Sequence, residues 1–212
     1  YAQQLKEEKI FAAYRTTQFD HYPPGFRDPD GYWTSLYFIT YSMGYNTRNI
    51  TPQDVPKKYE DLLNPKWQRK VGIVSNSEIW VLGILELMGK DKGLDYLRKL
   101  TNQDLEVRSG FSLQTQLLGA GEFPISAVVI PWILEEQKGK GAPLDWVKTV
   151  PIISGPTGCS GLSSHASHPN AARLLLEFLV SQEGMQIIKD DGNIPTRIGF
   201  NPKRPALKEG LD

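Results

Sequence analysis

Three short strand-forming runs, each followed at once by a helix start, constrain this chain more than any other feature. They are KVGIV (70–74), LEVR (105–108) and FPISAVVI (123–130). Ser75-Asn76-Ser77-Glu78 follows the first, with Ser or Asn to cap a helix and an acid for its first turn. That helix runs to about Met88, with Trp80, Ile84 and Leu87 among its apolar positions, and Gly89 stops it. Residues 91–103 repeat Leu94, Leu97 and Leu100 at helical spacing. Ser109-Gly110 turns the second run into a helix carrying Leu113, Leu117 and Leu118. Pro131 opens the helix WILEEQKGKG after the third, because proline is well tolerated in a first turn. Strands alternating with helices through short loops predict an α/β fold with mostly parallel sheets.

The flanks differ. Residues 2–9 read as a short exposed helix. Residues 16–34 are punctuated by Pro23, Pro24, Gly25, Pro29 and Gly31, a surface loop rich in aromatics. SLYFITYSMGYNT (35–47) is β-branched and aromatic, hence a strand. KYEDLLNPKW (58–67) predicts a short helix ended near Asn64-Pro65. DWVKTVPII (145–153) predicts a strand and GPTGCSGLSS (155–164) a Gly-rich extended segment. His168-Pro169-Asn170 opens a helix to about Leu179, and Ser181 opens another that ends at Gly192. The block 48–150 forms one α/β unit. The extended stretches 35–47 and 150–164 then read as a pair of crossings between two lobes.

Composition closes several routes. Lys plus Arg is 24 and Asp plus Glu is 24, so the formal net charge is zero and no nucleic acid is implied. Cys159 is the single cysteine, which forbids an internal disulfide and a cysteine metal cluster. It reads as a small buried residue. No apolar run is long enough to cross a bilayer. The opening YAQQLKEEKIFAAY lacks a basic stretch followed by an apolar one. Nucleotide-cradling and hydrolase signatures such as GxxxxGK[ST], HExxH and GxSxG do not occur. Asp190 and Asp191 are adjacent, so on a helix they diverge and make a poor acid–base pair. His21, His165 and His168 lack metal-ligand spacing and read as capping or solvent-exposed groups.

Taken in order, DPDGYW (28–33), a strand ending in YNT (45–47), VPKKYEDLLNPKWQRKVGIV (55–74), GAGEFPISAVV (119–129), KGKGAPLDWV (138–147) and HPNAARLLLEFLVSQEG (168–184) resemble the periplasmic iron(III)-type substrate-binding proteins of ABC transporters. The resemblance covers nearly the whole chain and implies a two-lobed type 2 periplasmic-binding fold with paired hinge crossings. Lobe one is then 1–40 with 155–212, and lobe two is 41–154. It also implies that the chain starts inside the family pattern, lacking a leader and roughly the first third. Lobe one is therefore expected to be incomplete, exposing sheet edge and apolar surface.

In this fold a ligand lies outside the carboxyl ends of the strands, where helix N-termini present free amides. The candidate contacts are Ser75, Asn76, Ser77 and Glu78 at one helix start and Ser109, Gly110 and Ser112 at the next. Simple N-capping, worth about 1 kcal/mol each, is the plainer reading of these residues. By the resemblance, Ser77 to Ile79 fall where an anion is gripped. Glu78 stands where a small residue is expected, and its carboxylate opposes an anion and admits a cationic group or metal. After the third strand, iron-binding members of the family carry two adjacent tyrosines. This chain has Pro131-Trp132, which cannot ligate iron. Trp132 either stacks on an organic or cationic group or packs in the core. Trp33 and Tyr37 are candidates for an aromatic pocket lining, with packing inside the lobe as the alternative; Tyr37 and Tyr41 share a strand face.

The expected role is the extracytoplasmic, periplasmic solute-binding component of an ABC importer. It would close on a small organic or oxyanionic solute, or a metal complex, by hinge motion. It would need no cofactor or chemistry, and would act as a monomer when full length, delivering to an ABC permease. The alternative is a ligand-sensing domain of a signalling receptor. An enzyme related to thiamine-pyrimidine synthesis would need a cysteine-rich motif that this chain lacks.

Overall fold

The elements follow the sequence pattern closely where the hydrophobic period is clear. In the computed structural model, which describes residues 1–148 and 151–208, the strands are β1 (Phe11–Ala12), β2 (Thr34–Asn46), β3 (Val71–Val74), β4 (Glu106–Arg108), β5 (Ile125–Val129), β6 (Leu144–Trp146), β7 (Ile153–Ser160), β8 (Leu162–Ser163) and β9 (Ile194–Pro195). The helices are α1 (Ala2–Glu7), α2 (Glu78–Met88), α3 (Lys90–Thr101), α4 (Phe111–Ala120), α5 (Pro131–Gly139), α6 (Pro169–Leu179) and α7 (Gln182–Asp191). The chain divides into two compact units, one of residues 1–39 and 155–208, the other of 40–154.

The 40–154 unit holds a sheet in the order β4-β3-β5-β2-β6. β3 pairs in parallel with both β4 and β5. The residues of β2 in this unit pair antiparallel with β5 and β6. The expectation of mostly parallel sheets thus holds for the three strands that α2, α3 and α4 connect, because only such crossovers return a strand in the same direction. β2 reaches the sheet without a preceding crossover helix and enters antiparallel, so the sheet is mixed. All five residues of β5 are buried, as a central strand covered on both faces requires. Leu118, Phe123, Val129, Leu134, Leu144 and Trp146 form one core cluster beneath α4 and α5. Trp80, Ile84, Tyr96, Leu100, Tyr59 and Leu62 are likewise buried.

Two local readings change. Tyr59–Leu63 and Pro65–Trp67 are 3-10 turns and not one α-helix. Pro65 has no N–H, and Asn64 stays extended before it and accepts from the Lys66 amide at 3.0 Å. The expected strand 145–153 is split: β6 ends at Trp146 and β7 begins at Ile153. Thr149 and Val150 lie outside the described residues, as do 209–212.

In the other unit, β9 pairs antiparallel with Tyr37 and Phe38 of β2, and β7 also pairs with β2. β1 pairs antiparallel with β8. Tyr22, Leu36, Val180 and Met185 form its buried cluster. Ser181 caps α7 by accepting from the Gly184 amide at 3.2 Å. Glu177 of α6 accepts from the Thr17 hydroxyl at 2.6 Å and from Tyr14 Oη at 2.8 Å. Burial alone would raise its carboxyl, but these donors hold it below the ordinary value. α6 also exposes Leu174 (72 %), Leu175 (56 %) and Phe178 (45 %).

Gly158 of β7 is required twice over. Its φ is +61°, and a Cβ there would stand 2.3 Å from Cε1 of Tyr37. Gly158→Ala is expected to lower the stability of this unit by about 2–4 kcal/mol, combining left-handed strain with overpacking. A thermal melt of the variant checks this, and an unchanged melting temperature would contradict it.

Candidate functional site

The three parallel strands β4, β3 and β5 end side by side, and each leads directly into a helix. The backbone amide of Ser75 donates to the Arg108 carbonyl at 2.9 Å, so the ladder continues one step past β3. Immediately beyond, the Gly110 amide donates to Oδ1 of Asn76 at 3.4 Å. The start of α2 and the start of α4 are thereby brought together. The start of α5, with Ile130 as N-cap and Pro131 and Trp132 in its first turn, follows β5 on the other side of β3.

None of these three helix starts carries a side-chain cap. The serine at α2 is not spent on capping: Ser77 is buried and its Oγ donates back to the Val74 carbonyl at 2.8 Å. This corrects the expectation that Ser or Asn caps α2. The hydroxyl instead fixes the turn after β3, and the first-turn amides of α2 are left for another acceptor. At α4 the N-cap is Gly110 with φ +86°, a conformation that brings the chain round sharply without a side chain in the way. Ser75, Asn76, Glu78, Ser109 and Ser112 are exposed, and Gly110 is half-buried.

The frame around these starts is rigid. Gln114, fully buried on α4, donates through Nε2 to Ser126 Oγ at 2.9 Å, and that hydroxyl donates to the Val128 carbonyl at 2.8 Å. Asn46 of β2 donates to the Leu118 and Gly119 carbonyls at 2.8 and 3.1 Å, holding the far end of α4. Phe111, the first residue of α4, packs its ring 5.7 Å from that of buried Tyr41. In the sequence pattern Phe111 stands only as part of the helix start 109–112 and Asn46 only as a strand end, and Gln114 is not singled out. An aromatic directly after a Ser-Gly helix start was the available signal for Phe111; the polar pair has none, since its meaning appears only when α4 lies on β5.

Of the five tryptophans, Trp67 and Trp80 are core residues, and Trp146 donates to Glu135 Oε1 at 2.9 Å. Trp132 and Trp33 are only partly buried, and the indole N–H of each is enclosed without a partner. Trp33 and Tyr37 belong to the other unit. There Trp33 lines a crevice of about 10 Å³, room for one water. Tyr37 packs against Gly158 and the Tyr22 cluster. His165 Nδ1 lies 3.0 Å from Ser164 Oγ, and His168 precedes α6 without a side-chain cap bond. Cys159 is half-buried rather than fully buried, and burial pushes its thiol up.

A model of the bacterial extracellular solute-binding protein family matches residues 1–210. Among solved structures, the iron-bound HitA of Pseudomonas aeruginosa superposes with a TM-score of 0.84 at 20 % identity, over 98 % of this chain and 70 % of that one. The ferric binding protein of Campylobacter jejuni gives 0.81 at 17 % identity, over 99 % and 71 %. AfuA of Actinobacillus pleuropneumoniae, with fructose-6-phosphate bound, gives 0.80 at 21 % identity, over 96 % and 68 %. At these identities the likeness is one of fold, the mixed α/β architecture of periplasmic binding proteins. The chain belongs to the bacterial extracellular solute-binding protein family, the extracytoplasmic solute-capturing components of ABC importers.

Proposed function

We propose that the edge where β3, β4 and β5 end is the ligand-gripping surface of the 40–154 unit, and that its solute is a small organic oxyanion. The observation that carries the reading is the junction of three uncapped helix starts, two of them joined through Asn76 and Gly110. Free first-turn amides at α2 and α4, with the positive end of each helix dipole, favour anionic oxygens; α5 offers fewer, because Pro131 has no N–H and the Ile133 amide donates to the Ile130 carbonyl. Ser75, Asn76, Ser77, Ser109, Gly110 and Ser112 supply the polar contacts, and Trp132 supplies a flat apolar wall. Glu78, at the first turn of α2, selects for a ligand that also carries hydroxyl donors or a cationic group. Trp33 and Tyr37 as further contacts rest on the supply of aromatics around the start of β2, and Tyr37 is engaged in packing against Gly158.

Among proteins of this fold, HitA is iron-bound and AfuA holds fructose-6-phosphate. The Pro131-Trp132 pair favours the second kind of ligand here, since neither side chain offers an oxygen to a metal. Capture, delivery to an ABC permease and release need no covalent step, and the protein acts as a monomer. A metal complex bound through its organic oxyanion is the second reading.

The test is a thermal-shift panel on the full-length protein with hexose phosphates, citrate, iron(III) citrate and uncomplexed iron(III). The expected result is stabilisation by one of the organic oxyanions, at about 3 kcal/mol when it is present at a hundredfold its Kd. Stabilisation by uncomplexed iron(III) alone would overturn the reading.

A further inference from the structure

A second concavity lies wholly within the 40–154 unit, formed by the turn Tyr59–Leu63, the last turn of α2, and α3. Its volume is about 640 Å³, within the range of ordinary small-molecule sites. Tyr59, Leu63, Leu87, Met88 and Tyr96 make it largely apolar. Leu87 is 45 % exposed there, on a helix that is apolar nearly all round and buries Trp80 and Ile84. Lys58, Lys92 and Lys99 stand around it with Glu60 and Asp95. Asp95 is taken by Lys99 at 2.6 Å. Lys58 and Lys92 make no ion pair among the described residues.

Tyr96 supplies the second observation. It is 3 % exposed, it lines the concavity, and its hydroxyl is enclosed with no hydrogen-bond partner. A buried hydroxyl without an acceptor is costly, so native sites pair it with water or a ligand atom. Burial, with Tyr59 and Glu60 close by, pushes its phenol far above the ordinary value, so it stays a neutral donor. Tyr59 is already engaged, donating to the Pro151 carbonyl at 3.3 Å.

We infer that this groove is an accessory binding site for a small amphipathic organic anion, whose apolar body lies on Leu87, Met88 and the two tyrosine rings, and whose carboxylate meets Lys58 and Lys92 and, once the Tyr96 side chain turns its enclosed hydroxyl outward, that hydroxyl. The site is separate from the strand-end surface and does not depend on the reading given to it. It would let the protein respond to a second class of molecule without occupying the first site.

The probe is octanoate, titrated into the whole protein carrying labelled leucine and methionine methyls, with octylamine as the opposite-charge control. Octanoate is expected to shift the Leu87 and Met88 methyl signals saturably, and octylamine to shift them far less. Lys58→Ala with Lys92→Ala is expected to raise the octanoate Kd about tenfold, and Tyr96→Phe about fivefold. Unchanged melting temperatures of the variants separate lost binding from lost structure. The inference fails if octanoate leaves these methyls unmoved at millimolar concentration, if octylamine acts as strongly, or if neither substitution changes the Kd.

Discussion

Trp80→Ala is expected to lower the unfolding free energy by about 3–5 kcal/mol, the usual cost of deleting a large buried aromatic. Trp80 is fully buried in the first turn of α2 and meets Tyr59 edge-on, with centroids 6.3 Å apart. Its loss leaves a cavity between α2 and the Tyr59–Leu63 turn that neighbouring side chains cannot refill. The same side chain anchors the helix start that follows Ser77, so the variant should also bind solute more weakly than its stability alone explains. Trp80→Phe keeps most of the packing and should cost about 1–2 kcal/mol. Urea denaturation followed by circular dichroism measures both. A loss below about 1 kcal/mol for the alanine variant would show that Trp80 is not what pins α2.

Trp132→Ala is expected to weaken capture of the transported solute by about 10- to 100-fold, or ~1.4–2.8 kcal/mol. A partly buried indole at the head of α5 offers a broad flat surface at small entropic cost, and its N–H is without a partner in the structure. Trp132→Phe should keep the stacking surface and lose about threefold or less. Isothermal titration with the stabilising compound from the panel above decides the matter. If Trp132→Ala binds as tightly as the parent protein, Trp132 is a packing residue and the wall of the site lies elsewhere.

Much of this was legible from residue patterns. The runs at 70–74 and 123–130 are apolar because β3 and β5 are covered, the helices after them begin where Ser77 and Pro131 stand, and the helix after 105–108 begins at Gly110. The family resemblance followed from the order of these phrases, and the match over residues 1–210 bears it out. What stayed hidden depends on contacts between residues far apart in sequence. Ser77 looked like a cap by type and position, yet its hydroxyl turns back to Val74, a choice made by the local turn. Strand direction at β2 is set by what precedes the strand, which alternation alone does not encode. The Gln114–Ser126 bond is invisible in a helix pattern that otherwise reads as Leu-driven. The expected strand 145–153 failed because an apolar run was read without a marker for where pairing stops.

The unit of residues 1–39 and 155–208 is made of two stretches with the whole of the other unit's chain between them. During synthesis its first stretch must therefore wait for its partners in 155–208 while a complete α/β body is made and is able to finish first. Phe38 has no β9 to pair with, and Tyr22 no Val180 to bond, until residues 180–195 have emerged. Assembly is thus inside-out: the late-made segment sets the pace, and the early aromatic stretch needs protection from stray strand partners in the meantime.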